Sequence, residues 1–139
     1  MAAGRWLPRD TLQMLLTIRH TKIADSLVAA YKRGGCDAAL ERYRWFTNNN
    51  LHNEYRYSVG LLNQLGYELM GEGLLDDALR VLRLNAEEYP ADWNVFDSYG
   101  EACMKAGKKD IAIESYERAL ALDPSQENPR KMLRELRQE

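Results

Sequence analysis

The sequence contains few of the side chains that hold metals or form disulfides. It has two cysteines, Cys36 and Cys103, and two histidines, His20 and His52. The cysteines are single and far apart in sequence, so we interpret them as small core or surface residues. Neither histidine has a cysteine, histidine or carboxylate at a spacing that recurs in metal sites. We therefore expect no metal site and no cofactor.

Sequence motifs of catalysis are missing as well. There is no G-x-S-x-G motif, which argues against a nucleophile elbow, and no G-x-G-x-x-G or Walker motif for phosphate binding. The acidic pair Asp76 and Asp77 falls at a predicted helix start. Carboxylates at that place complement the helix dipole, so the pair needs no catalytic role. We expect no catalytic residues and no enzyme activity.

Long apolar runs are absent too. No run of 18 apolar residues is present, so we expect no helix that spans a membrane. The first residues, 1–8, lack the apolar core of a signal peptide. We therefore expect a cytoplasmic protein, unless the chain is a fragment of a longer one.

The net charge of −2 is small, but the charges are unevenly distributed. Residues 1–58 contain nine Lys or Arg and five Asp or Glu, whereas residues 59–126 contain six and thirteen. Two interpretations stay open: ordinary solvated helix faces, or an end of one charge that meets a partner of the other. One short basic and aromatic cluster does not predict nucleic-acid binding in an acidic chain. It comprises Arg42, Arg44, Tyr55, Arg56 and Tyr57.

A period of 34 residues is the most informative feature that the chain does have. The offset separates three pairs of identical residues: Gly66 and Gly100, Ala78 and Ala112, and Pro90 and Pro124. A shared period of this length indicates a two-helix repeat that stacks on copies of itself.

The two clear copies cover residues 59–92 and 93–126, and each has a glycine inside an apolar helical stripe. These glycines are Gly66 and Gly100. Glycine in a helix interior costs roughly 1 kcal/mol relative to alanine, so it needs a packing reason. We predict that a second helix crosses closely at each glycine. In the second copy, the matching small residues are predicted to be Ala112 and Ala119.

The ends of the helices can also be predicted. Gly73 and Gly107 are expected to close the first helix of each copy, because glycine takes the left-handed conformation readily. Asp76 or Asp77 is expected to open the next helix of the first copy. Asn85 is a polar residue at a packed position, so its amide should find a hydrogen-bond partner such as a backbone carbonyl at the turn.

These features predict an all-α fold of stacked antiparallel helix pairs, an α-solenoid of about seven helices in one domain, 1–139. A degenerate repeat is expected at 20–58, and a C-terminal capping helix at 127–139. The predicted helices are 9–33, 36–48, 58–72, 75–89, 93–106, 109–122 and 127–137.

The order of apolar, glycine, alanine, aromatic and proline positions resembles the tetratricopeptide repeat. That resemblance implies that the first helix of each pair lines the inside of a superhelix, where a peptide or helix would bind. The two methionines at such positions have an alternative interpretation, which is packing against neighbours. The lysines with which related proteins hold the acidic C-termini of heat-shock chaperones are missing. The implied exposed inner positions are Asn63, Tyr67, Met70, Asn94, Asp97, Glu101 and Met104.

A longer resemblance is to the repeat-bearing tail of bacterial serine hydrolases, both beta-lactamase-like enzymes and alpha/beta-hydrolase esterases. It is carried by residues 62–69, 84–90 and 93–102. It implies a bacterial origin and a module without catalytic residues. We expect a protein-interaction scaffold, monomeric or weakly self-associating, with a protein or peptide partner and with no nucleic-acid or membrane partner. The alternative is a regulatory or oligomerising appendage of such a hydrolase, in cis or in trans, whose partner is the hydrolase domain.

Overall fold

The computed structural model describes the backbone of residues 9–49 and 55–138 and the side chains of residues 23–49 and 59–138. Throughout these residues the regular structure is helical, so the predicted all-α fold class is confirmed. The helices are α1 (Arg9–Asn48), α2 (Tyr55–Gly71), α3 (Leu75–Glu88), α4 (Trp93–Lys105), α5 (Lys109–Leu122) and α6 (Glu127–Gln138).

The first helix is interrupted by two glycines. Gly34 (φ −146°, ψ 18°) and Gly35 (φ 72°, ψ −163°) both depart from helical geometry. Only glycine adopts the Gly35 conformation easily, because an L side chain would collide with the backbone there. The interruption divides α1 into segments 9–33 and 36–48, so residues 9–49 and 55–138 contain seven helical segments, where about seven were predicted.

The first helices of both clear repeats end in the same way. Gly73 and Gly107 have left-handed φ values of 78° and 74°. The next amide in each case reaches back to the helix: Leu74 N donates to Leu69 O (2.9 Å), and Lys108 N donates to Cys103 O (2.8 Å). This is the Schellman pattern, which satisfies carbonyls at a helix C-terminus. The two predicted glycine closures are confirmed.

The start of α3 differs slightly from the prediction. The helix begins at Leu75, and Asp76 and Asp77 both lie in its first turn rather than opening it. They still complement the positive end of the helix dipole. At the start of α4, by contrast, Asp92 is a true cap: its side chain accepts a hydrogen bond from Asn94 N at 2.9 Å.

The glycines within the stripes lie under large side chains. A Cβ added to Gly66 would stand 2.4 Å from Leu82 Cδ2, and one added to Gly100 would stand 3.0 Å from Tyr116 Cε1. The predicted close approach is confirmed. The nearest neighbour of each glycine is a bulky side chain of the following helix, and the predicted small residues Ala112 and Ala119 are fully buried.

Each helix packs against the next one in the chain, and alternate helices also touch, α1 with α3 and α2 with α4. One apolar core joins α1 to α4 and includes the fully buried Leu27, Leu62 and Leu82. A second core lies beneath α6, where Leu133 and Leu136 are buried. This arrangement is a solenoid whose last described helix covers the apolar face of α4 and α5.

A buried amide joins α2 to α3. Asn85 is fully buried, and its Nδ2 donates to the backbone oxygen of Val59 at 3.1 Å. The amide therefore has a hydrogen-bond partner, as predicted, but the partner is a carbonyl within α2 and not one at the turn. Such a bond matters because a buried amide donor without a partner costs roughly 1–3 kcal/mol.

Candidate functional site

A row of polar side chains crosses α2, α4 and α6. Tyr67 Oη donates to Glu101 Oε2 at 2.7 Å. Asn128 Nδ2 donates to both carboxylate oxygens of Asp97, at 3.0 and 3.2 Å. Asp97 and Glu101 lie one turn apart on α4, so the two contacts form one continuous line. We call Tyr67, Asp97, Glu101 and Asn128 the inner row.

The repeat itself aligns this row. Tyr67 and Glu101 are 34 residues apart, so they occupy the same position in successive first helices. Lys105 Nζ lies 3.3 Å from the other oxygen of Glu101, Oε1. Glu101 is thus held between a phenol and an ammonium group, and this fixes the direction of its carboxylate.

Burial governs the protonation of the row. Burial is the main cause of the raised pKa of Asp97; the hydrogen bond from Asn128 acts to lower that pKa, and the charge of Glu101 acts to raise it. Burial also dominates at Tyr67 and raises its pKa to about 12, with Ser98 acting against the shift and Glu101 adding to it. Both effects favour the neutral form of the side chain, and Tyr67 therefore remains a hydrogen-bond donor at neutral pH.

Tyr116 lies close behind the inner row. Its ring covers Gly100. Its pKa is raised by burial first, and then by the nearby charges of Asp97 and Glu101. Its Oη is buried and makes no hydrogen bond with any residue that the structure describes. Tyr116 of α5 therefore fills the gap at the helix crossing and lies beside the inner row.

The seven predicted inner positions differ in exposure. Met70 (6% exposed) and Asp97 (8%) are buried, so the expectation that both are exposed was wrong. Met70 belongs to the first core, which agrees with the packing alternative for that methionine. Asp97 is buried where Asn128 of α6 contacts it. Tyr67 is 38% exposed. The other four, Asn63, Asn94, Glu101 and Met104, are partly buried, and Met104 packs against the second core.

The structure brings together three of the predicted residues, Tyr67, Asp97 and Glu101. No hydrogen bond or ion pair among the described side chains joins Asn63 or Asn94 to them. Our sequence analysis missed Asn128, Lys105 and Tyr116. The period could have found Asn128, because it follows Asn94 by the same 34 residues.

Several expectations concern absences. Across the side chains that the structure describes, no group of three or more His, Cys, Asp or Glu is arranged to hold a metal ion. None of the described helices is both long and apolar enough to cross a membrane. His20 and His52 lie outside the described side chains. Cys36 and Cys103 are both buried and unbridged, in agreement with their interpretation as core residues.

Comparisons with known proteins agree with this geometry. Residues 93–126 match the family model of the tetratricopeptide repeat. No curated protein matches the sequence significantly.

Solved structures resemble the fold over most of the chain. The first repeat domain of Spaghetti (RPAP3), bound to the HSP90 peptide SRMEEVD, is similar with a TM-score of 0.60 and 18% identity, covering 86% of this chain and 90% of that one. The chain has the tetratricopeptide-repeat fold.

Two further structures show the same tetratricopeptide-repeat likeness. MamA has a TM-score of 0.59 and 23% identity, over 86% of this chain and 62% of that one. PcrH, in complex with the chaperone-binding region of PopD, has a TM-score of 0.56 and 19% identity, over 99% of this chain and 98% of that one. None of these three is a serine hydrolase, so the resemblance to a hydrolase tail stays a prediction.

Proposed function

We propose that this protein is a non-catalytic scaffold that binds a peptide or helix of a partner protein along the inner row. The observation that carries the proposal is the Tyr67–Glu101 bond, which joins equivalent positions of two successive repeats while Tyr67 stays 38% exposed. An exposed aromatic ring beside fixed polar groups is a common feature of protein interfaces. Two proteins of similar fold are described with bound partners, an HSP90 peptide and a region of PopD.

The chemistry of the row favours a basic or apolar occupant. Glu101 presents a partly buried carboxylate with the Lys105 ammonium group beside it, and the carboxyl group of Asp97 is buried one turn away on α4. The Tyr67 ring offers a face on which an aliphatic stem or a guanidinium group can pack. An acidic peptide such as SRMEEVD would meet the carboxylate of Glu101 and be repelled. We therefore propose an occupant with at least one lysine or arginine beside an apolar side chain.

The seven positions predicted from sequence contribute unequally in this proposal. Tyr67 and Glu101 make direct contacts, and Asn63, Asn94 and Met104 extend the surface along α2 and α4. Asp97 is buried and holds Asn128 of α6 in place, and Met70 supports α2 from within the core.

A peptide-binding measurement tests the proposal. Peptides selected from a random displayed library on the immobilised protein are expected to contain a basic residue next to an apolar one. The selected peptide, labelled with fluorescein, should lose at least about tenfold in affinity when Tyr67, Asn94 and Glu101 are changed to alanine together. The fold should be retained by circular dichroism, because substitutions at partly exposed positions cost about 0.5 kcal/mol each.

The matched control is Glu68→Ala, which removes an exposed carboxylate next to Tyr67 on α2. That variant should bind the peptide as the wild type does. Equal affinity of the folded triple variant and the wild type would place the binding surface elsewhere. Selection of acidic peptides on the inner row would contradict the proposed charge preference.

A further inference from the structure

A second surface, away from the inner row, combines an apolar floor with a basic rim. It consists of two adjoining depressions of about 460 and 340 Å³. Both depressions share Arg83, Glu87, Tyr99 and Ile111, so they form one continuous groove. We call it the arginine groove. It lies between α3 and α5, and Leu40 and Arg44 of α1 line one of its ends.

The floor of the groove is apolar. Tyr99 of α4 and Leu79 of α3 each pack against both cores. Ile111 is 39% exposed, one of the few large apolar side chains that the described part of the chain presents to solvent. Phe96 extends the floor toward the other end. An exposed branched side chain among aromatic rings provides area that a partner can cover.

The rim is positively charged in a chain whose net charge is −2. Two carboxylates, Glu87 and Glu114, line the groove, and five cations surround them. Of these cations, Arg80 pairs with Asp37 and Arg83 pairs with Glu87. The five cations are Arg44, Arg80, Arg83, Lys108 and Arg118.

Three rim cations are not neutralised by any residue that the structure describes. Arg44 and Lys108 line the same depression at one end of the groove, and neither forms an ion pair there. Arg118 lines the other depression and lies over the Phe96 ring, 5.7 Å from its centroid. Cations at both ends with an apolar floor between them are complementary to carboxylates on both sides of an apolar side chain.

We propose that the arginine groove binds an acidic peptide segment of a partner protein. An aromatic or branched apolar side chain of that segment covers Ile111 and Tyr99. Carboxylates on either side of it meet Arg44 and Lys108 at one end and Arg118 at the other. The inner row and the arginine groove thus select peptides of opposite charge, and the same molecule can hold two different segments at once.

The test uses the whole chain and a short fluorescein-labelled peptide with a phenylalanine between glutamates. We expect saturable binding by fluorescence anisotropy, and we expect the affinity to fall as salt is added. Changing Arg44, Lys108 and Arg118 to glutamine together should weaken binding at least about tenfold. Ile111→Ser, which leaves every charge in place, should also weaken it.

Two controls isolate the groove. Changing Arg130, Lys131 and Arg134 of α6 to glutamine alters the net charge by the same amount and should leave binding intact. Tyr67→Ala with Glu101→Ala, in the inner row, should also leave it intact.

Several outcomes would overturn the proposal. They are a lack of measurable binding, equal binding by the wild type and the folded groove variant, or loss of binding in the α6 variant. Stronger binding of a single-stranded RNA oligonucleotide than of the peptide at the same three cations would assign the groove to nucleic acid instead.

Discussion

The two glycines under large side chains give a prediction that the structure makes quantitative. A Cβ at Gly66 would stand 2.4 and 2.5 Å from Leu82 Cδ2 and Cγ, far inside van der Waals contact. A Cβ at Gly100 would stand 3.0 to 3.1 Å from the Tyr116 ring, which is a milder overlap. At Gly71, the last residue of α2, nothing lies within 4 Å of the added atom. The three sites therefore form a graded series for one chemical change.

The expected effects of alanine follow from two opposing terms. Alanine gains up to about 1 kcal/mol over glycine in a helix. Overpacking a well-filled core costs about 1–3 kcal/mol. Gly71→Ala should therefore be neutral or stabilising, Gly100→Ala close to neutral, and Gly66→Ala destabilising by roughly 1–2 kcal/mol. Leucine at Gly66 or Gly100 should cost about 3 kcal/mol or more.

Urea and thermal unfolding followed by circular dichroism measure these differences. For a chain of this size, 1 kcal/mol corresponds to roughly 4 °C in Tm, so the leucine variants should melt at least about 10 °C lower. Adding Leu82→Ala to Gly66→Ala should recover part of the loss, because the colliding atoms are removed. Leucine variants that melt within a degree or two of wild type would refute the packing argument.

Three further outcomes are expected. Asn85→Ala should destabilise the protein by roughly 1 kcal/mol in urea unfolding, because it removes a hydrogen bond that joins α3 to α2 at a fully buried position, and a wild-type midpoint would contradict this. The pKa of Asp97 is raised in the folded protein, so the protonated carboxyl group favours the folded state over the unfolded state. This contribution to stability is lost as pH rises from the ordinary carboxyl pKa through the raised one. Asp97→Asn should therefore increase Tm relative to wild type at neutral pH, and the difference should shrink toward acid pH; a difference independent of pH would count against it. Finally, the purified chain should not hydrolyse chromogenic esters or lactams, and turnover that follows the protein peak through repurification would overturn that expectation.

The period allowed much of the fold to be predicted from the sequence. It placed Gly73 and Gly107 at helix ends, and it required a close crossing at Gly66 and Gly100, because backbone conformation and steric space are local properties of these positions. The groups that fill the crossings were not predictable in the same way. They depend on how far a side chain of the following helix reaches, and at Gly100 that side chain is the bulky Tyr116.

The candidate site was predicted less completely. The position of each residue around its own helix identified Tyr67 and Glu101. It could not show that Asn128 of α6 would reach Asp97. Burial of Met70 likewise depends on neighbouring helices rather than on its own. The arginine groove was not predicted at all, because its cations come from α1, α3, α5 and the residue before α5, and several lie within a stretch that is acidic as a whole.

The order in which the helices pack has a consequence for cooperativity. Each helix rests mainly on its neighbours in the chain, so the molecule can open from one end while the remainder stays folded, as in a one-dimensional array. The inner row runs across that order: Tyr67, Glu101 and Asn128 belong to three helices that are not consecutive. A ligand lying along the row would therefore connect α6 to α2 and make their unfolding a single concerted transition. Amide hydrogen exchange would then show ligand-induced protection in α6, including at amides far from the core contacts of α6.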